Sequence, residues 1–244
     1  MNSLIQRVLA LSLLLFFSSY ATAYIIAPTT PGKWGSPEYG TGATITWSLM
    51  DDGVSCVDVW EPDGCEISSL DSFMPDGWYG EIKKAFAAWS AVADLTFIEV
   101  PDTGEPFDRF GDSGDIRIGG HYFDGRFGTL AHGYFPPFNG FTAAGDIHFD
   151  TGDVWKIGFG GTGFDIFSVA AHEIGHALGL DHSNVSRSLM RRTYTESFHG
   201  LQPDDIAGIQ FLYGSAKKIP EPRTAVILTL AILFLIFRKK VPIT

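Results

Sequence analysis

The alternation of apolar and polar positions changes period several times along the 244 residues. Residues 43–50 alternate and are rich in Thr, Ile and Trp, the period of two that a half-buried strand requires. Over residues 81–91 the apolar positions become Ile82, Phe86 and Trp89, a helical spacing. Residues 95–100 and 115–119 return to strand character. Between residues 120 and 163 the chain is dense in Gly, Phe, His and Asp, with strands predicted at 130–134 and 146–149. Apolar burial alone does not organise such a stretch, and Asp and His set among glycines point to metal ions doing so. Asp165 is placed to cap a helix over 166–180, and residues 202–213 form a last amphipathic helix ended by Gly214. Residues 24–40, rich in Pro and Gly, are expected to be irregular. Residues 51–76 read as a polar insertion and 215–222 as a linker. Five strands and three helices in this order predict an α+β domain over residues 41–214.

Both ends of the chain carry a different pattern. Arg7 precedes an apolar run over 8–17, and Ala21-Thr22-Ala23 follows as a small-x-small site. Residues 1–23 therefore read as a secretory signal peptide, with the mature chain starting at Tyr24. At the other end Pro220-Glu221-Pro222 precedes an apolar run over 225–237, closed by Arg238, Lys239 and Lys240. As a helix this run covers roughly 20 Å, short for a bilayer span. Its cations favour the cytoplasmic side and place the domain outside. The order of the three parts over 223–244 resembles a PEP-CTERM sorting tail, with Val241-Pro242-Ile243-Thr244 as a departure. That resemblance implies a Gram-negative envelope or extracellular protein, associated with the membrane transiently or through its C-terminus and processed by an exosortase-type enzyme. A plain C-terminal anchor is the alternative.

The whole chain carries a net charge of −11, but the ends are basic and the middle is acidic. Without Arg7 and the basic residues beyond Ser215, residues 24–215 are left at roughly −17. Such a domain repels nucleic acid and anionic membranes and suits cation binding. Cys56 and Cys65 are the only cysteines. Export implies an oxidising compartment and a local disulfide, the alternative being a free thiol that ligates zinc.

The chemistry is concentrated in Ala171-His172-Glu173-Ile174-Gly175-His176-Ala177-Leu178-Gly179-Leu180-Asp181-His182-Ser183. His172 and His176 stand one helical turn apart, so both imidazoles can reach one metal. Glu173 points to the same side and is free to take a proton from a metal-activated water. Were the helix to continue, His182 would lie roughly 240° around the axis from His176. Gly179 can adopt a left-handed conformation that ends the helix and returns His182 to the metal. Three neutral histidines leave a fourth position open, as in catalytic zinc sites. This long form of the motif is that of metzincins, and Ser188-Leu189-Met190 supplies the candidate Met-turn with Met190 beneath the histidines.

Beyond the motif, the chain resembles the catalytic domain of matrix metalloproteinases, the matrixins. The likeness runs through Ile82-Lys83-Lys84-Ala85-Phe86-Ala87-Ala88-Trp89-Ser90, Gly114-Asp115-Ile116-Arg117-Ile118, Leu130-Ala131-His132, Asp146-Ile147-His148-Phe149-Asp150 and Gln202-Pro203-Asp204-Asp205. Ser183 after the third histidine favours matrixins over their relatives. The resemblance implies a twisted five-stranded mixed sheet with three helices and a cleft along an edge strand. It implies a monomeric zinc endopeptidase acting on protein or peptide substrates. A structural zinc would fall to His121, His132 and His148. The family's fourth ligand, an Asp, is replaced by Phe123, leaving solvent or another acid for that position. Calcium would fall to Asp124, Gly125, Asp150 and Asp153, with Asp115 and Asp146 matching a second site. Substrate would pair with the edge strand at Leu130 and Ala131, and Tyr194 would wall the specificity pocket, where Arg192 stands in place of the family's Pro. No counterpart of the family's inhibitory Cys propeptide or hemopexin-like domain is found in these residues. A non-catalytic, metal-stabilised envelope or biofilm-matrix binding protein is the competing reading, against which the retained Glu173 argues.

Overall fold

The computed structural model describes residues 24–56, 65–107, 111–136 and 143–217. The segments expected to be a signal peptide, 1–23, and a PEP-CTERM-type tail, 223–244, lie outside the described residues. The strands are β1 (Ile25–Ile26), β2 (Ala43–Leu49), β3 (Leu95–Glu99), β4 (Ile116–His121), β5 (Ala131–Gly133), β6 (Ile147–Asp150), β7 (Trp155–Lys156), β8 (Phe164–Asp165) and β9 (Leu180–Asp181). The α-helices are α1 (Trp78–Ser90), α2 (Ile166–Ala177) and α3 (Pro203–Tyr213). A five-stranded sheet in the order β3-β2-β4-β6-β5 is the centre of the fold. Its strands run parallel except β5, which lies antiparallel to β6 on the edge. This is the mixed sheet with three helices expected from the sequence.

Trp89 of α1 is fully buried, and its indole Nε1 donates to the Ala171 carbonyl of α2 at 2.9 Å. That bond satisfies the polar atom of a large core side chain while fixing the two helices against each other. Ile45, Ile118 and Phe149 from the sheet meet Ile82, Phe86 and Ile174 from the helices in the same core. Helix α1 begins earlier than predicted, at Trp78, because Gly77 at φ 93° turns the chain into it. Helix α2 stops at Ala177 rather than residue 180, because Gly179 takes φ 105°. Asp165 caps it as expected, accepting from Ser168 N at 2.9 Å.

Residues 24–40 are not wholly irregular, contrary to expectation. Ile25 and Ile26 pair antiparallel with Asp181 and Leu180, and Ala27 N donates to Gly179 O at 2.8 Å. Trp34 Nε1 donates to Ala177 O at 2.7 Å. The N-terminal segment is thus tied by backbone bonds to the bend that follows α2. At the far end, Ser215 bridges Ala93, so the expected linker begins attached to the domain. Cys56 and Cys65 form a disulfide beside a small second core containing Met50, Val54 and Ile67.

Candidate active site

Helix α2 presents His172, Glu173 and His176, and the bend at Gly179 returns the chain so that His182 faces the first two. The ring centroids of His172, His176 and His182 lie 4.7, 5.3 and 4.7 Å apart. One nitrogen from each lies within 4.8 Å of the others. His172 Nδ1 meets the Leu189 carbonyl and His176 Nδ1 the Leu180 carbonyl, each at 2.7 Å. A carbonyl partner requires the proton on Nδ1, which leaves Nε2 as the lone-pair donor for a metal. Burial pushes the His172 imidazolium pKa down to about 4, against the Leu189 carbonyl, and His182 adds to the fall. Burial and His172 push His176 well below its usual value, while burial and the Arg192 guanidinium lower His182. All three are neutral near pH 7, the state that zinc needs, and three nitrogen donors with room for a fourth ligand fit that ion.

Glu173 is buried, and burial raises its carboxyl pKa to about 8, opposed only by the backbone N–H of Gly133 on β5. A side chain at Gly133 would bring its Cβ to 2.7 Å from the Glu173 carbonyl oxygen. Glycine is therefore what lets the edge strand pass this close to α2. Beneath the histidines lies Met190, buried, and a Cβ at Gly175 would meet its sulfur.

The Met190 turn is held by a residue that the sequence reading did not single out. Asp205 of α3 is buried and accepts from Ser188 Oγ, Leu189 N and Met190 N, at 2.5, 2.8 and 3.1 Å. Its Oδ2 also accepts from Gln202 N at 2.7 Å, which caps α3. One carboxylate thus joins the start of α3 to the turn whose Leu189 carbonyl orients His172. An acidic residue in the first turn of a helix is ordinarily a capping group, so nothing in the local pattern marked it.

A cleft of about 550 Å³ opens beside the histidines and is lined by Leu130, Ala131, Tyr194, His172, Glu173 and His182, among others. Tyr194 Oη accepts from Asp165 N and donates to Glu196, both at 2.9 Å, so the wall is braced against the cap of α2.

His121, His132 and His148 form a second cluster, from three adjacent strands. His132 and His148 are direct cross-strand partners, and His132 Nε2 lies 3.1 Å from His148 Nδ1. Burial drives the His132 pKa down to about 3 and that of His148 well below its usual value. Phe123 stacks on the His132 ring at 4.7 Å and meets the His121 ring edge-on at 4.3 Å. An apolar ring covers the cluster where a fourth ligand would stand.

The acidic residues assigned to calcium are spread around the loop that follows β4. Asp150 accepts from Phe123 N, Gly125 N and Gly152 N, Asp153 from Phe127 N, and Asp124 from Thr129 N. Among the described residues, Asp124, Asp150 and Asp153 do not gather within 4.8 Å as a trio. Asp115 is held by Thr46, whereas buried Asp146 accepts from Arg117 N. One carboxylate oxygen of Asp146 and one of Asp153 are buried with no hydrogen-bond partner.

Residues 68–214 match the matrixin family of peptidases, M10. Among curated proteins the chain is 42% identical over 145 residues to karilysin of Tannerella forsythia, covering 58% of this chain and 29% of karilysin. It is 43% identical over 152 residues to human matrix metalloproteinase-16, covering 58% and 24% of the two chains. It is 46% identical over 142 residues to the hatching enzyme of Paracentrotus lividus, covering 55% and 22%. The match thus spans less than a third of the length of each of these relatives. The match covers the sheet strands from β3 to β6, helix α2 with its two histidines, and the Met190 turn, and on that evidence this chain belongs to the matrixin family.

Proposed function

We propose that this chain is a secreted zinc endopeptidase in which His172, His176 and His182 hold the metal and Glu173 is the general base. The observation that carries the reading is the meeting of three neutral imidazoles with a buried carboxyl at the floor of a cleft. Zinc at such a site supplies Lewis acidity that lowers the pKa of water and polarises a peptide carbonyl. Glu173 takes the proton of the attacking water on its carboxylate and delivers it to the leaving amine. A cation held by His172, His176 and His182 would favour the ionised form of the Glu173 carboxyl, lowering its pKa from about 8. Gly133 N–H holds the carboxylate in place. The edge of β5 at Leu130 and Ala131 offers backbone groups to an extended peptide, and the pocket walled by Tyr194 receives a side chain.

His121, His132 and His148 are proposed to hold a structural zinc, supported by the lowered pKa values of His132 and His148 and by the mutual approach of all three. Calcium is proposed near Asp124, Gly125, Asp150 and Asp153, and near Asp115 and Asp146. The unpartnered oxygens of Asp153 and Asp146 support a cation there. Export into an oxidising compartment agrees with the Cys56–Cys65 disulfide. The signal and sorting patterns at the two ends extend that proposal to a Gram-negative envelope or extracellular location, with exosortase-type processing.

Glu173→Gln tests the base. The variant is expected to keep zinc and to lose about 10²- to 10⁴-fold in kcat/KM on a peptide substrate. Near wild-type cleavage by the zinc-loaded variant would refute the role.

A further inference from the structure

Most cations of the described residues are paired or packed away, and those left concentrate beside the cleft. Among the described residues, Arg117 is paired with Asp102, Lys84 with Glu81, Lys156 with Glu196 and Lys217 with Asp94. Lys33 is buried, and Lys83 lies over the ring of Tyr79. Of the four cations left among these residues, the charge of Arg126 acts on Asp153, whereas Arg187, Arg191 and Arg192 have no carboxylate partner and stand at or beside the cleft. Arg191 and Arg192 line it directly. Arg126 precedes the lining residue Phe127, and the Arg187 guanidinium sits 5.8 Å over the ring of Phe198, another lining residue. Arg192 is near enough to the metal-binding histidines for its charge to act on both His176 and His182.

Among the described residues that line the cleft, the only acidic one is Glu173, which is buried. Glu196, nearby, is already neutralised by Lys156 at 2.6 Å and by Gly160 N. Asp181, half-buried, lies beside His182, and at the opposite end Asp124 and Asp153 are occupied by the backbone N–H groups of Thr129 and Phe127. The deeper lining is apolar, with Val169, Leu189 and Phe164. A cleft with an apolar interior and unneutralised arginines at its rim is complementary to a chain that offers an apolar side chain and a carboxylate within a few residues of each other.

We infer that the cleft selects acidic protein segments, with Arg191 and Arg192 as its main specificity determinants and Arg187 adding to the field. This rests on the peptidase reading above. A positive rim on a domain otherwise strongly negative also discriminates by approach, because acidic substrates meet an attractive field only at the cleft.

The test uses the purified full chain with zinc and a set of internally quenched peptides. The peptides are identical except for Glu, Gln or Lys scanned through the positions on either side of the cleaved bond. At the best position Glu is expected to exceed Lys in kcat/KM by about tenfold at low salt, and the ratio should shrink toward unity near 0.5 M salt. In Arg191→Glu/Arg192→Glu the ratio is expected to invert. Because the ratio is internal to each protein, a loss of folded fraction does not move it. Equal cleavage of Glu and Lys peptides at every position would overturn the inference, as would a Glu preference unchanged by the charge reversal. Cleavage of the Gln peptides alongside either result leaves the peptidase reading standing. If the zinc-loaded chain cleaves none of the peptides, that reading fails. Anisotropy binding of the same peptides to Glu173→Gln then decides the inference, tighter binding of Glu than Lys peptides supporting it and equal binding sinking it.

Discussion

Gly179→Ala probes the device that brings His182 to the other two histidines. Two separate costs are expected. First, Gly179 has φ 105°, where an L side chain is strained, at about 1–2 kcal/mol. Second, a Cβ at this position would lie 2.1 Å from the Gly32 carbonyl oxygen. That neighbour is backbone, fixed by the Ala27–Gly179 bond and the pairing of β1 with β9, so it can yield only by moving the N-terminal segment. Displacements of this kind cost about 1–3 kcal/mol. The sum, about 2–5 kcal/mol, corresponds to a fall in Tm of about 10 °C for a domain of this size. Gly53→Ala isolates the first cost, since Gly53 has φ 82° and open space around its Cβ position. Thermal unfolding of the two variants, with zinc affinity measured by chelator competition, separates the effects. Gly53→Ala is expected to lose stability only modestly and to bind zinc as wild type does. Gly179→Ala should lose more stability and bind zinc at least about tenfold more weakly, because His182 is carried by the displaced strand. Equal Tm values for the two variants, or undiminished zinc affinity in Gly179→Ala, would refute the reasoning.

Two further changes test other parts of the structure. Asp102 makes a bidentate pair with buried Arg117, at 2.9 and 2.7 Å. Burial raises its pKa, but hydrogen bonds from Arg117 and Ser48 outweigh that and leave it below the usual carboxylate value. Its stabilisation is therefore present above about pH 4 and lost as pH falls below it. Asp102→Asn should cost about 3 kcal/mol at pH 7 in urea unfolding and flatten the acid limb of the stability profile. Phe123→Asp would replace the ring over His121 and His132 with a fourth ligand. Titration of the metal-stripped chain should then show a second zinc bound at least about tenfold more tightly than in wild type, and no change would remove the metal role of that cluster.

The parts of this architecture that were legible in the sequence are those governed by local period. The spacing of His172 and His176 specifies one helix face, and Gly179 before His182 specifies a bend, so the histidine trio could be read residue by residue. The alternation of β2 and the spacing of Ile82, Phe86 and Trp89 likewise reported which faces are buried. What was hidden depends on contacts between distant segments. A two-residue strand such as β1 has no period of its own, and its pairing with Leu180 and Asp181 is a matter of backbone register. Asp205 resembled any acidic residue in a first helical turn until the Met190 turn was found wrapped around it. Arg117 falls within a predicted strand, and its burial is intelligible only with Asp102 opposite it. The arginine rim draws on residues 187, 191 and 192, and only the folded chain sets them around the opening beside the histidines.

The central claim is that His172, His176 and His182 share one cation with a coordination position left for solvent. An anomalous-difference map recorded at the zinc edge from crystals of the zinc-loaded chain addresses it directly. A peak between the three Nε2 atoms, about 2.0–2.1 Å from each and with solvent as the remaining ligand, is the expected result. Absence of a peak there, or a fourth protein side chain closing the site, would contradict the account.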